Sequence, residues 1–424
     1  MKAGLFLLRA LRHRNYRLFF IGQGVSLIGT WMQQVALSWL VYQLTSSAFF
    51  LGLVGFVGQV PAFLFSSFAG VYADRWDRRR LLIITQVLSM LQAFALGFLT
   101  LAGIVAVWHL ITLAAFLGVV MALDIPVRHS FIVDMIEDKS DLGNAIALNS
   151  SMFNGARLVG PSMAGILISL TGEGVSFLLN GLSFLAIIVA LRSMRLSEKR
   201  KEASRRNVME ELREGFRYAF GFPPIKYILL FLGLISLTGM PYLVLLPVFA
   251  RDNLGGGPAT LGFLMGSAGI GALLAALYLA SRKTILGLGK RMAASACLFG
   301  SSLIVFSISH SSPLSLCMML LSGFGMIVVM AAGNTILQTV VEEDKRGRVM
   351  SFYAMAFMGM APFGSLIIGS LASRLGASEA LIAGGSCCII AGILFFGRLP
   401  VIREHARPIY IEKGIIEEMP SELQ

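Results

Sequence analysis

The sequence predicts an all-α membrane protein with twelve transmembrane helices in two pseudo-symmetric six-helix bundles, and three observations carry that prediction. The 424 residues are 56% hydrophobic and only 14% charged, against about 25% charged in an ordinary soluble domain. The apolar residues gather into runs long enough to cross a bilayer, which takes about 20 residues of helix. The basic residues fall almost entirely between alternate runs. A soluble protein of this size needs more polar surface, and disorder needs low hydrophobicity with high charge. The 30 Phe, 45 Gly and 21 Met suit lipid-facing helices that pack closely. Strands do not fit, because an open sheet leaves backbone groups unpaired in lipid and the runs lack the short alternating pattern of a barrel.

The first six spans are expected at 17–43, 49–72, 81–103, 108–135, 143–171 and 175–192, and the second six at 226–250, 259–281, 291–309, 313–341, 348–375 and 379–398. The basic N-terminus followed by an apolar stretch resembles a secretion signal. That stretch is too long for a signal core and holds Gln23, Gln33 and Gln34, so it reads as span 1. The polar segment 193–225 divides the chain into an N-terminal bundle (1–192) and a C-terminal bundle (226–398), and a polar tail (399–424) closes it. Within the divider, Val208, Leu212, Phe216 and Phe220 recur every four residues, Asn207 with Glu210 resembles a capping box, and Pro223-Pro224 stops the helix. This is an amphipathic helix lying in the membrane interface or a solvated linker helix.

Orientation follows from the positive charges. With both termini cytoplasmic, 31 of the 35 Lys and Arg residues fall on the cytoplasmic side; Arg251 and Arg374 fall outside it, and Arg128 and Arg157 fall within spans. The net charge of +12 is therefore a topology signal rather than a nucleic-acid footprint, and no basic patch with interleaved aromatics is present. The halves also look related: Glu137-Asp138-Lys139 matches Glu343-Asp344-Lys345, and Leu51-Gly52 matches Leu261-Gly262, both in the same six-plus-six register. Cys297, Cys317, Cys387 and Cys388 lie in apolar runs without metal-site or redox spacing and read as small apolar fillers.

The sharpest motif is the 2–3 loop, Gly70-Val71-Tyr72-Ala73-Asp74-Arg75-Trp76-Asp77-Arg78-Arg79-Arg80. It resembles the G-x-x-x-D-R-x-G-R-R signature of the major facilitator superfamily, with Asp77 in place of the glycine. The resemblance covers the chain up to the tail and implies the major facilitator fold: two bundles around a central cavity that opens alternately to either side. It also implies a cytoplasmic gate at Gly70, Asp74, Arg75, Arg78 and Arg79, between helices 2 and 11, and a monomer. The alternative is that this arginine cluster only sets topology. Gly29-Thr30-Trp31-Met32-Gln33, the Asp74-Arg75 loop and Asp124-Ile125-Pro126-Val127-Arg128 resemble the branch of the superfamily that holds the enterobactin exporter and related secretion effectors. That resemblance implies efflux of drugs, siderophores or similar metabolites across the bacterial cytoplasmic membrane, coupled to protons.

Gly155, Gly160, Pro161 and Gly165 in span 5 form a packing stripe with a proline kink. It partly resembles the Gly-Pro motif of proton-driven exporters, but the paired glycines after Gly-Pro are absent. A plain kinked packing helix accounts for it equally well. Charges within a span cost about 2.5–3.5 kcal/mol on insertion scales. Asp124 and Arg128 lie four apart on one helix face and are expected to pair; Asp124 is either the proton-coupling carboxylate or half of a structural ion pair. Arg157 has no sequence neighbour to pair with and reads as an anchor for an anionic substrate or a counter-charge to Asp124. Trp31, Gln33, Gln34, Asn149, Asn154, Asn334, Gln338 and Tyr353 are polar or aromatic at mid-span depth and are divided between cavity lining and interhelical hydrogen bonds. There is no G-x-x-x-x-G-K-[ST] loop and no Ser/His/Asp set, so neither ATP-driven transport by this chain nor an enzyme is expected, and no cofactor or metal. The expected partners are a small-molecule substrate, protons and membrane lipid. A facilitator or importer of a polar nutrient, or a lysophospholipid flippase, is the alternative on the same fold; a receptor without transport is a third reading.

Overall fold

The computed structural model describes residues 8–73, 76–195, 208–282, 284–343 and 345–416. Asp74, Arg75, Asn207, Asp344 and the basic run Lys199–Arg206 lie outside them. The described residues form helices and no strand. A short turn at Arg9–Arg12 leads into α1 (Arg14–Thr45), followed by α2 (Ala48–Ala73), α3 (Arg78–Leu101), α4 (Val107–Asp134), α5 (Leu142–Thr171) and α6 (Glu173–Ser193). The linker helix Val208–Gly221 stands before α7 (Pro223–Asn253), α8 (Pro258–Ala280), α9 (Leu288–Ser307), α10 (Ser312–Val340), α11 (Arg346–Leu375) and α12 (Ala377–Glu412). Among the described residues nine of these helices are long and apolar enough to cross a membrane. The other three, α1, α5 and α9, carry more polar side chains: α1 buries Asn15, Gln23, Ser26 and Gln33, and α9 buries Ser295 and Ser302.

Local sequence sets the ends. Asp77, where the signature has glycine, caps α3: its carboxylate accepts from the backbone N–H groups of Arg79 (2.9 Å) and Arg80 (3.2 Å). Pro223 and Pro224 open α7 at positions where a missing N–H is harmless. Gly172 (φ +81°) and Gly376 (φ +109°) make the tight turns α5–α6 and α11–α12, where a left-handed backbone favours glycine. These two turns occupy equivalent places in the two halves.

The pairings repeat as well. Helices α1–α6, α2–α4, α3–α6 and α3–α4 pack together in the first half, and α7–α12, α8–α10, α9–α12 and α9–α10 in the second; α2–α11 and α5–α8 join the halves. The joints are tight. A Cβ on Gly165 would come within 2.7 Å of the Pro258 carbonyl oxygen, and one on Gly262 within 2.9 Å of the Gly165 Cα. A Cβ on Gly369 would meet the Ala48 carbonyl oxygen at 2.7 Å and the Gly52 Cα at 2.9 Å. Lipid gives helices no hydrophobic reason to associate, so close backbone approach must supply the attraction.

All these joints lie on the end of the molecule remote from the termini. One apolar cluster spans both halves there, including Leu51, Ala164, Ile168, Leu245 and Leu261. The terminal side of the first half has its own cluster, including Tyr16, Leu82, Phe131, Ala145 and Leu191, with no residue of the second half in it. Among the described residues the halves are thus joined at the far end, and no apolar cluster of the first half's terminal side reaches the second half.

Three elements differ in detail from the sequence expectation. The α7 helix is interrupted at Gly239–Pro241 and ends in a π turn, Phe249–Asn253. The α11 helix contains a π turn at Met355–Gly359, where Ser236 of α7 hydrogen-bonds the Phe357 carbonyl. The α12 helix runs on to Glu412 through the segment assigned to the tail, despite Pro400 and Pro408, because Leu399, Ile402 and Ala406 form a buried stripe. The linker helix docks on the start of α11: Glu214 pairs with Arg348 at 2.9 Å, and Phe216 meets Phe352 edge-on.

Candidate functional site

At the terminal face, charged loop residues tie the first half to itself. Asp141 is buried and accepts from Arg9 (3.0 Å), Arg12 (2.9 Å) and His13 (3.0 Å). Arg78 pairs with Asp134 of α4 at 2.9 Å, and Arg79 donates to the Arg192 carbonyl at 2.6 Å. Of the expected gate, then, Arg78 and Arg79 are engaged within their own half, Gly70 lies in the last turns of α2, and Asp74 and Arg75 lie outside the described residues. Asp138 in the 4–5 loop accepts from the Ser140 backbone at 3.0 Å. The Ser140 hydrogen bonds, with Arg12 and His13 nearby, hold its carboxyl below the usual carboxylate range.

The α4 face brings Asp124 and Arg128 together. Asp124 is fully buried, ion-paired with Arg128, and its Oδ1 also accepts from Thr85 Oγ1 (2.8 Å) and Gln86 Nε2 (2.7 Å) of α3. Low dielectric makes such a group intolerable unless donors surround it. The two α3 donors are not among the sequence candidates. Their signal was the polar series Thr85, Gln86, Ser89 and Gln92 inside an otherwise apolar span, one to two helical turns apart.

Gln33 is turned into the first half. Its Nε2 donates to Gln92 Oε1 (2.9 Å) and its Oε1 accepts from Asn180 Nδ2 (2.8 Å), all three residues being buried. This network ties α1 to α3 and α6 and leaves Gln33 buried. Gln34, one residue on, is exposed.

Trp31 packs against α5. Gly160 admits its Cβ, Phe153 meets its ring edge-on at 5.9 Å, and the Arg157 guanidinium stands 6.0 Å from its ring centre. Phe153, Arg157 and Gly160 share one face of α5. Gly155 behaves otherwise: a Cβ there would meet nothing within 4 Å, so its smallness serves no packing contact, whereas Gly160 and Gly165 do. Pro161 is buried, and its carbonyl faces Gly262. Arg157 and Asp124 are not brought together; among the described residues Arg157 forms no ion pair.

The other polar candidates are half-buried or exposed on the terminal side. Asn149 helps line a cleft of about 210 Å³ between α4 and α5, with His129 and Ser150. Asn154 bonds its own helix at Ser150, Gln338 donates to Asn334 at 2.9 Å, and the Tyr353 hydroxyl donates to the Met330 carbonyl at 3.2 Å. Across the far end, the Tyr42 hydroxyl of α1 hydrogen-bonds Asp252 of α7, and Arg251 stands 5.7 Å over the Tyr42 ring.

Two six-helix sets joined by α2–α11 and α5–α8, apolar outside and polar along their divided side, define a multi-pass membrane protein with the fold of major facilitator transporters. Residues 7–412 match the transmembrane secretion effector family, and the chain belongs to that family of the superfamily. It is 27% identical to the staphyloferrin A transporter of Staphylococcus aureus over 89% of this chain and 94% of that one. It is 26% identical to the multidrug efflux pump Tap of Mycolicibacterium fortuitum over 87% and 92%. Among solved structures, the inward-facing, occupied bacterial homologue of the human lysosomal transporter Spinster superposes with a TM-score of 0.73 at 13% identity, over 93% of this chain and 98% of that one. An inward-facing bacterial homologue of the iron transporter ferroportin gives 0.70 at 17%, over 91% and 98%.

Proposed function

We propose that this protein is a secondary active exporter that moves small amphipathic molecules across the bacterial cytoplasmic membrane by alternating access, working as a monomer in exchange for protons. In this reading all twelve long helices cross the bilayer and both termini are cytoplasmic, which the distribution of basic residues supports. The observation that carries the reading is the one-ended joint: among the described residues the halves meet through glycines at the end remote from the termini and share no apolar cluster on the first half's terminal side. Under this orientation the chain is open to the cytoplasm, the state in which an exporter loads. The relative that is a multidrug efflux pump supports outward movement, and the staphyloferrin A transporter supports a small-molecule cargo.

Asp124 carries the proton in this scheme. Its carboxylate pairs with Arg128 and accepts from Thr85 and Gln86, and in this scheme a proton replaces Arg128 when that side chain swings away. Pro126, between the two, removes a backbone hydrogen bond and gives α4 room to do so. Protonation and movement of α4 are thereby linked.

The test is transport in proteoliposomes holding a fluorescent amphiphile. An imposed proton gradient is expected to accelerate movement opposite to the proton flow, and Asp124→Asn is expected to remove the acceleration while the variant stays folded. Equal rates with and without the gradient would remove the antiport reading. Movement down the cargo gradient alone would favour a facilitator, and movement only of lysophospholipid would favour a flippase.

A further inference from the structure

We infer that Arg157 is an anion-reading site at the apex of the cleft between the halves, and that the cargo is selected as an amphipathic anion, a carboxylate borne near an aromatic or apolar body. The inference deepens the exporter reading and rests on it.

Within the spans expected from the sequence, and away from their ends, the described residues include three Asp, Glu, Lys or Arg side chains: Asp124, Arg128 and Arg157. The first two neutralise one another, and Asp124 has no exposed surface. Arg157 is left as an uncompensated positive charge at the middle of α5, half-buried, with the Trp31 ring beneath it and no ion pair among the described residues. A charge at that depth is costly and needs either a partner or a task.

Its position is the junction of the molecule. The preceding turns of α5, with Met152 and Ala156, belong to the core of the terminal side, and Ala164 and Ile168 beyond it belong to the joined end. Arg157 therefore stands where the separated halves come together. On the second half, Tyr242 lies within electrostatic range of it, its buried hydroxyl beside that of Ser322. A guanidinium braced on an indole, with no ion pair among the described residues, is a set of donors without an acceptor. A carboxylate supplies the acceptor, because the planar fork of Arg binds it through two parallel hydrogen bonds. The same charge repels a lipophilic cation, so it selects by exclusion as well as by attraction.

The experiment uses the full-length protein in detergent with two dansyl probes of similar size, dansylglycine (anionic) and dansylcadaverine (cationic), read by energy transfer from tryptophan. Wild type is expected to bind dansylglycine at least about tenfold more tightly. Arg157→Gln is expected to abolish that preference, Arg157→Lys to keep part of it, and Arg157→Glu to reverse it. Equal affinities in wild type, or an unchanged ratio in Arg157→Gln, would overturn the inference. The wild-type ratio alone decides the matter if a variant does not fold. Proteoliposomes separate this from the exporter reading: transport of both probes at equal rates sinks the anion site and leaves the exporter standing. Proton-gradient-insensitive movement with the anion preference intact sinks the exporter and leaves the site.

Discussion

The two ends of the molecule are held by different physics. At the end remote from the termini, the halves touch through Gly52 with Gly369 and Gly165 with Gly262, backbone against backbone, with the Tyr42–Asp252 hydrogen bond beside them. At the terminal face, the described ion pairs of the first half join Arg9, Arg12 and His13 to Asp141 and Arg78 to Asp134, all inside that half. Strong, directional contacts therefore tie the first half to itself, and mostly weak, additive ones join the halves. A gap of about 0.5–1 Å across a glycine seam already forfeits a quarter to a half of its dispersion attraction, so such a seam parts as a unit. Under the proposed alternating access, such a joint can open at the cost of one directional contact, the Tyr42–Asp252 hydrogen bond.

The comparison can be broken or sharpened by substitution. The largest effect is expected inside the rigid body. Arg128→Gln leaves the Asp124 carboxylate buried without its cation and should lower stability by about 3–5 kcal/mol; the double change with Asp124→Asn should recover much of it. Thermal unfolding in detergent measures both, and additive losses would show that the pair is not coupled. Next comes the seam. Gly165→Leu forces a side chain into the Pro258 and Gly262 backbone and should disfavour the joined state by about 1–3 kcal/mol. Spin labels on the far end should then report wider separation, with terminal-face distances shortened. Tyr42→Phe removes one charge-assisted hydrogen bond across the same end and should shift that equilibrium the same way, by about 1.5–3 kcal/mol at most. Asp77→Ala should cost about 1 kcal/mol through the lost α3 cap, seen as a lower Tm with no change in the far-end distances.

The smallest effect is a pH dependence. The hydrogen bonds that depress the Asp138 carboxyl stabilise the folded 4–5 loop only while it is ionised. That contribution is complete above the ordinary carboxylate range and is lost as pH falls through the depressed folded value. Amide exchange at Ser140 should quicken, relative to its intrinsic rate, only in strong acid, and Asp138→Asn should show no such change.

Much of this architecture was legible in the residues. Apolar runs and the proline and glycine punctuation placed the long helices within a few residues, because a chain in lipid has only the helix to satisfy its backbone in such runs. The Leu51-Gly52 and Leu261-Gly262 match pointed to equivalent positions, and both glycines prove to be seam residues. Asp124 and Arg128 were readable as a pair because a helix fixes residues four apart on one face. Less was legible of side-chain partners between helices. Gln33 and Gln34 are neighbours of one chemistry, yet the first is locked to Gln92 and Asn180 and the second is exposed. The extension of α12 past Pro400 was hidden because its stripe is stabilised by packing on α9 rather than by propensity.

By itself the sequence determined the solvent, the helix positions and the pairing of charges within one helix, since each follows from hydropathy and a fixed local geometry. The tertiary structure alone decided which glycines meet across the halves, which end is joined, and that Asp124 is enclosed while Arg157 is left uncompensated. Those outcomes depend on how helices distant in sequence are rotated against one another, and that rotation is set by the packing of whole faces rather than by any local stretch of chain.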